Sequence, residues 1–295
     1  MPTHPTPAAS AEEPLFSFGL VADCQYGDAP DFIANGMARY FRDALNRLSE
    51  AVTELNGHDL AFVVHLGDLI DRDPADYGPV FEVLAGLRAP LHHLLGNHDF
   101  HRPDGTITPV DQICAQYQMP APYYAFSHLG WRFIVLDSNE ISFEEQPPGT
   151  PQYQAATAWL AELTEQGAIN ARKWNGGLST EQRDWLFAEL DQVAAIGERA
   201  AVLVHHPLDD SLLDSIWGGN DLAGALADHP AAAVVFSGHY HRGSFRQLAE
   251  LPMLTLHGMV ETTRSAFAVV AVFTDRLELT GYGRQPDRAL QLRPA

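Results

Sequence analysis

Five short, mostly apolar runs, each leading straight into acidic, amide or histidine side chains, constrain this chain more than any other feature. Phe16 to Val21 leads into Asp23-Cys24-Gln25, Ala61 to Leu66 into Gly67-Asp68-Leu69-Ile70-Asp71, and Pro90 to Leu95 into Gly96-Asn97-His98-Asp99. Further along, Ala201 to Val204 leads into His205-His206-Pro207, and Ala232 to Phe236 into Gly238-His239-Tyr240-His241. Runs this short and this apolar read as strands buried on both faces, the habit of α/β sheets. Side chains gathered just past strand ends lie where open α/β sheets hold their ligands.

The same residues dictate a chemistry. One carboxylate with two oxygens can bridge two cations about 3.5 to 4 Å apart. Asp68 is the bridging candidate, and the flanking Asp, Asn, Gln and His side chains supply the remaining positions. Such a pair clamps a phosphoryl group, turns a shared water into hydroxide near neutral pH, and offsets charge building on phosphorus oxygens. Cys24 alternates away from its neighbours Asp23 and Gln25 and reads as a small buried residue. Imidazole mixed with oxygen donors disfavours an iron–sulfur or structural zinc site and suits manganese, iron or catalytic zinc.

At these residues the chain resembles the calcineurin-like metallophosphoesterases, whose pattern is D-x-H or D-x-Q, G-D-x-x-D, G-N-H-D/E, a lone His, and G-H-x-H. All five blocks stand here in order, within a resemblance running from about Phe16 to Leu290. Gln25 in the first block makes the chain most similar to the manganese-dependent ADP-ribose/CDP-alcohol diphosphatases. Arg39-Tyr40-Phe41-Arg42, Asn175-Gly176-Gly177 and the tail from Leu254 through Glu261-Thr262 to Gly281-Tyr282-Gly283-Arg284 fit that subgroup too. The resemblance implies a four-layer α/β/β/α sandwich with two mixed β-sheets. It implies that Asp23, Gln25, Asp68 and His241 hold one divalent ion and Asp68, Asn97, His205 and His239 a second, manganese first, with iron or zinc as alternatives. His98 matches the catalytic histidine beside the leaving group, with Asp99 expected to orient its ring. Asp71 is expected behind the ligands. His205 rather than His206 is the ligand because the family pattern is His, any residue, Pro.

Each match alone has an ordinary explanation, since Asp and Gly cluster in turns for conformational reasons. Five in order do not share it. The histidines outside the motifs, among them His58, His65, His92, His93 and His101, read as hydrogen-bonded structural residues. Arg39 and Arg42 are candidates to face a phosphate, against the alternative of a solvated helix face, because i, i+3 spacing merely places them on one side.

Composition narrows the partners. A net charge of −20, from 38 acidic and 18 basic residues, argues against long nucleic acid, which needs a basic footprint. It leaves room for a small phosphate ester, because two divalent ions and nearby arginines make a pocket locally positive. No apolar run approaches a bilayer span, and Met1 to Pro14 lacks the basic start and apolar middle of a signal peptide. Cys24 and Cys114 are too few for a disulfide framework, so the expected location is the cytoplasm. The 295 residues are long for one domain and short for two. The expectation is a disordered leader over 1–14, rich in Pro, Ala, Thr and Glu, before a single domain over 15–290.

Helical spacing predicts a first helix from Phe32 to Leu55, carrying Arg39 to Arg42. Others are predicted near Ala75 to Leu87, Ala155 to Thr164, Thr180 to Ala195 with Ser179 as its cap, and Asp221 to Asp228. After Gly243, short strands at Phe245 to Leu248, Met253 to Leu256, Phe267 to Phe273 and Leu277 to Gly281 predict a mainly antiparallel second sheet. From Glu140 to Leu178, prolines, glycines, Trp159 and Trp174 suggest a lid or specificity insertion over the strand ends. Trp174 is a candidate to stack on a nucleobase, or else to pack on the insertion's own helix; Asn175 and Gly176 are candidates to bond base edges. The expected substrate is a small nucleoside diphosphate ester, ADP-ribose or a CDP-alcohol, split at the anhydride into a nucleoside monophosphate and a second phosphate. The alternatives are a phosphodiesterase or phosphomonoesterase for cyclic nucleotides or other esters, and a metal-bound scaffold without turnover.

Overall fold

A computed structural model describes residues 12–34 and 36–293. The first part of the chain runs β1 (Phe16–Val21), a hairpin of β2 (Phe32–Ala34) and β3 (Met37–Arg39), α1 (Ala44–Leu55), β4 (Val63–His65), α2 (Tyr77–Leu84), β5 (Leu91–His93), α3 (Val110–Tyr117), β6 (Tyr124–His128) and β7 (Trp131–Val135). It continues with β8 (Ile141–Ser142), α4 (Pro151–Glu165), β9 (Gly176–Gly177), α5 (Thr180–Ala195), β10 (Arg199–Leu203), α6 (Gly219–Asp228) and β11 (Ala232–Ser237). The last strands are β12 (Arg242–Leu248), β13 (Leu251–His257), β14 (Ala266–Val272), β15 (Arg276–Gly283) and β16 (Arg288–Gln291).

Two six-stranded sheets result, in the orders β16-β15-β14-β1-β4-β5 and β12-β13-β11-β10-β7-β6. Each is mixed, with a parallel stretch (β1, β4, β5 in one; β7, β10, β11, β13 in the other) flanked by antiparallel strands. Three apolar cores divide the molecule into four layers. Phe18, Leu20, Phe62, Phe133, Leu203, Phe236 and Val270 fill the space between the sheets. Leu48, Val52, Val80, Leu84, Ile113 and Tyr117 seat α1, α2 and α3 on the first sheet, and Leu186, Leu190, Leu222 and Leu226 seat α5 and α6 on the second. Each fully buried side chain of this size contributes about 1.5–3 kcal/mol. The architecture is α/β/β/α, and because the parallel strands of both sheets end at one edge, Asp23, Asp68 and Asn97 from the first meet His205 and His239 from the second.

Two expectations need correcting. Phe32 to Leu55 is not one helix: the hairpin occupies its first part, and α1 begins only at Ala44. The Asn35-Gly36 pair is a strong hairpin signal inside the helical pattern, and Gly36 takes φ +78°. Nor do the tail strands form a sheet of their own. β12 and β13 complete the second sheet, whereas β14, almost wholly buried, pairs with β1 in the first and continues into β15 and β16. Residues 1–11 of the expected leader lie outside the described residues, while Glu12 pairs with Arg276 at 3.0 Å.

Residues 140–178 hold β8, α4 and β9. Thr150 caps α4 by accepting from Tyr153 N, with Pro151 at the first turn, and Ile141, Ala156 and the buried Trp217 make a small core of their own. Ser179 caps α5 as expected, its Oγ accepting from Gln182 N at 3.0 Å. Among the described residues, no helix is long and apolar enough to cross a membrane.

Candidate metal centre

The strand ends turn sharply, and the turns aim the side chains. Asp23 (φ 51°), Gln25 (φ 44°), Asp68 (φ 60°) and His239 (φ 63°) all occupy the left-handed region, which is uncommon for residues other than glycine. Strained backbone concentrated at one place is a mark of a functional site. Space there is also spent to the limit: a Cβ on Gly96 would collide with Asp68 Oδ1, and one on Gly67 with His205 Nδ1. Asp68, His205 and His239 bring one ligand atom each to within 4.8 Å of one another, and Asp23, Asp68 and His241 do the same. The two triads share Asp68, which is fully buried.

Each histidine is held by its outer nitrogen. His205 Nδ1 donates to Leu66 O at 2.8 Å, leaving Nε2 to face Asn97 Oδ1 at 3.2 Å and Asp68 Oδ2 at 3.5 Å. His239 Nε2 donates to Asn175 Oδ1 at 3.1 Å, leaving Nδ1 toward His205 Nε2 at 3.2 Å. His241 Nδ1 donates to Glu261 Oε1 at 3.0 Å, leaving Nε2 toward Gln25 at 3.3 Å and Asp23 Oδ1 at 3.5 Å. Outer N–H groups tied to oxygens and inner lone pairs converging on carboxylates is the arrangement metal-binding histidines adopt. Gln25 Oε1 is buried in this cluster without a hydrogen-bond partner, a cost that a cation would remove. Burial opposes the charge on Asp68, yet His205, His98 and His239 together hold its carboxyl well below the ordinary range. Buried carboxylates, amide oxygens and oriented imidazoles therefore fit a pair of divalent ions, which Asp68 would help to hold.

Residues 16–243 match the calcineurin-like phosphoesterase family. The chain is a calcineurin-like phosphoesterase. It is 31% identical to the mouse (Mus musculus) manganese-dependent ADP-ribose/CDP-alcohol diphosphatase, over 97% of this chain and 96% of that protein. It is 28% identical to the rice (Oryza sativa) protein of the same name, covering 97% of each. The crystal structure of a dimetal phosphatase from Danio rerio superposes with a TM-score of 0.84 at 25% identity, covering 95% of this chain and 99% of that one. The phosphoesterase is accordingly a metal-dependent phosphoester hydrolase.

Around the metal cluster this phosphoesterase departs from several expectations. His98 is oriented by Asp71, whose carbonyl and Oδ1 lie 2.9 and 3.0 Å from Nδ1, and not by Asp99. Asp99 instead accepts from the backbone of Gly96, Asp68 and Leu69 and from Tyr117 Oη, clamping two ligand-bearing turns together. Burial and Asp68 push its pKa up to about 6. Asn175, expected at base edges, is fully buried: its Nδ2 donates to Asn170 O and Leu213 O, which turns Oδ1 toward His239. Gly176 is buried as well; a Cβ there would strike Ser138 O, and its carbonyl accepts from Trp217 N. Arg42 points to solvent and pairs with Asp28 at 2.6 Å, whereas Arg39, at the end of β3, pairs with Glu261 at 3.3 Å and lines the cleft.

Trp174 stands at the cleft mouth, 40% exposed, its Nε1 donating to Asp214 Oδ1 at 2.8 Å. His206 is structural, held between Ser138 Oγ and Trp174 O, with burial bringing its pKa down to about 3. His65, His92 and His93 are also structural, His93 Nδ1 meeting His65 Nδ1 at 3.4 Å and His92 stacking on Phe126. His101 is the exception: it pairs with Glu144 across the cleft, and both line it. Arg72 and Asp214 also line the cleft and carried no signal in the sequence.

Proposed function

We propose that this phosphoesterase hydrolyses the phosphoanhydride of small nucleoside diphosphate esters, ADP-ribose or CDP-alcohols, giving a nucleoside monophosphate and a second phosphate, with manganese as its metal. The observation that carries the chemistry is the pair of buried triads sharing Asp68. The names of the mouse and rice relatives favour the substrate class and the metal. Asp23, Gln25, Asp68 and His241 would hold one ion, and Asp68, Asn97, His205 and His239 the other. Bound there, the pair supplies Lewis acidity toward phosphoryl oxygens and an acidified water.

The chain's own residues do the rest. Arg39 faces the cleft as a fixed guanidinium and positions the diphosphate oxygens. His98 gives its proton to the departing oxygen: burial opposes its charge, but Asp68 and Asp71 outweigh burial and raise its pKa above the usual imidazole value. Asp71 holds its ring. Trp174 offers a face to a nucleobase, a contact worth about 1–3 kcal/mol per base. We place the protein in the cytoplasm as one domain over 15–290, with Cys24 and Cys114 both free and buried.

The test is hydrolysis of ADP-ribose and CDP-choline by metal-stripped protein with Mn²⁺, Fe²⁺, Zn²⁺ or Mg²⁺ restored. Manganese-dependent release of AMP and CMP is expected. Silence on both with turnover of an aryl phosphodiester would keep the metal chemistry and overturn the substrate class.

A further inference from the structure

Two cavities flank the ligand cluster. The larger, ≈ 570 Å³, is lined by Phe32, Ile33, Trp174, Asn97 and His98; the smaller, ≈ 310 Å³, by Ile169, Ser211, Leu212, Leu213 and Tyr240. Arg39, Asp214, His239 and His241 belong to both, so the two lobes meet over a floor they share at His239 and His241. Asp214, bonded to Trp174, stands between them.

A diphosphate ester has two unlike halves, and two lobes over one floor give each half its own place. The lobes are not interchangeable. The larger presents Phe32, 57% exposed, and Trp174 to a planar ring. The smaller adds Ser211 and the Glu261 carboxylate, both missing from the larger lobe's lining, to meet hydroxyls or a cationic alcohol. Of the two lining sets, only that of the larger lobe contains Asn97 and His98.

The leaving oxygen of an in-line displacement departs opposite the incoming water, and His98 stands on the larger-lobe side. We infer that the nucleoside half is the leaving half, and that water attacks the phosphorus of the other half. The water oxygen bonds to the phosphorus bearing the alcohol or sugar, and the proton it gives up passes to solvent. The bond from that phosphorus to the bridging oxygen breaks, and its electron pair stays on the bridging oxygen. That oxygen departs on the nucleoside monophosphate and takes up the proton His98 gives. This rests on the diphosphatase reading and adds which phosphorus is attacked.

The experiment is hydrolysis of CDP-choline and ADP-ribose by the manganese-loaded enzyme in ¹⁸O-enriched water, with mass spectrometry of all products. Label is expected in phosphocholine and ribose 5-phosphate and absent from CMP and AMP. Label in the nucleoside monophosphates overturns the inference and leaves the diphosphatase reading standing. Recovery of both substrates intact with every divalent metal overturns that reading, and the inference with it. Two variants tie the label to the lobes. Trp174→Ala should raise KM for CDP-choline by about tenfold or more. Leu213→Trp, which fills the smaller lobe, should shift the choice between CDP-choline and CDP-glucose, which share a nucleoside. If Leu213→Trp instead shifts the choice between cytidine and adenosine halves, the lobes are reversed and the inference falls.

Discussion

Asp68 is fully buried, set by a left-handed backbone and hemmed in by Gly96, whereas Trp174 is 40% exposed and holds its place at the cleft mouth through Asp214. The same contrast runs through the whole site. On the floor, His205, His239 and His241 are each tied by an outer nitrogen and the turns leave no room for another atom. On the rim, Phe32, Ile33 and Trp174 stand half in water on a hairpin and an insertion. The difference teaches where change is tolerated. A floor residue serves a geometry that has no second solution, while on the function proposed above a rim residue would alter which ester enters without touching how it is cut.

Breaking the floor should cost most. Asp68→Ala removes the oxygen pair shared by both triads, so metal content by elemental analysis and activity should vanish together; full activity in that variant would sink the dinuclear account. Next, His98→Ala should lower turnover by roughly 10² to 10⁴ with metal retained. Asn175→Ala sharpens the comparison, because it lies in the insertion yet serves the floor. It should weaken metal binding by about 10- to 100-fold, read by metal titration, with little change in KM once metal saturates. A rise in KM alone would return Asn175 to the rim.

Acid should also find the interior. Burial, helped by His92, holds His93 down to about 3. The unfolded chain takes up that proton below about 6.5 while the folded chain refuses it, so stability falls as pH drops. The slope is about 1.4 kcal/mol per unit for this one group. Buried Asp99, raised to about 6, acts in the opposite sense over the same window. The measurement is therefore the urea midpoint of wild type against His93→Gln at pH 7 and pH 5: the variant should lose less on acidification, and equal losses would refute the assignment. Smallest of all, Arg42→Ala should leave both the kinetics and the urea midpoint unchanged, as for exposed ion pairs.

Much of the floor was legible because its signals are local. An apolar run of strand length followed by Asp, Asn or His states both the strand and the ligand. What escaped depended on chain direction or on distant segments. Asp99 adjoins His98 in its motif and Asp71 lies in the motif before it, yet the path of the backbone sends the distant Asp71 to the imidazole and the adjacent Asp99 to Gly96 N and Tyr117. Arg39 and Arg42 share a helical-looking stretch, but β3 takes up Arg39 and stops before Arg42, separating them. Asn175 could be given its role only by the fold that carries the insertion beneath His239. The tail's apolar alternation fits either sheet, and the open edge of β1 decided where β14 went.

That edge governs how the molecule is assembled. β1 lies between β4, where Gly19 faces Val63, and β14, where Phe16 faces Val272. β1 thus waits for a strand far along the chain. Pairings this distant in sequence raise contact order and slow folding. Until β14 docks, one edge of β1 lacks its partner, so the turn that aims Asp23 is fully supported only once that distant pairing has formed.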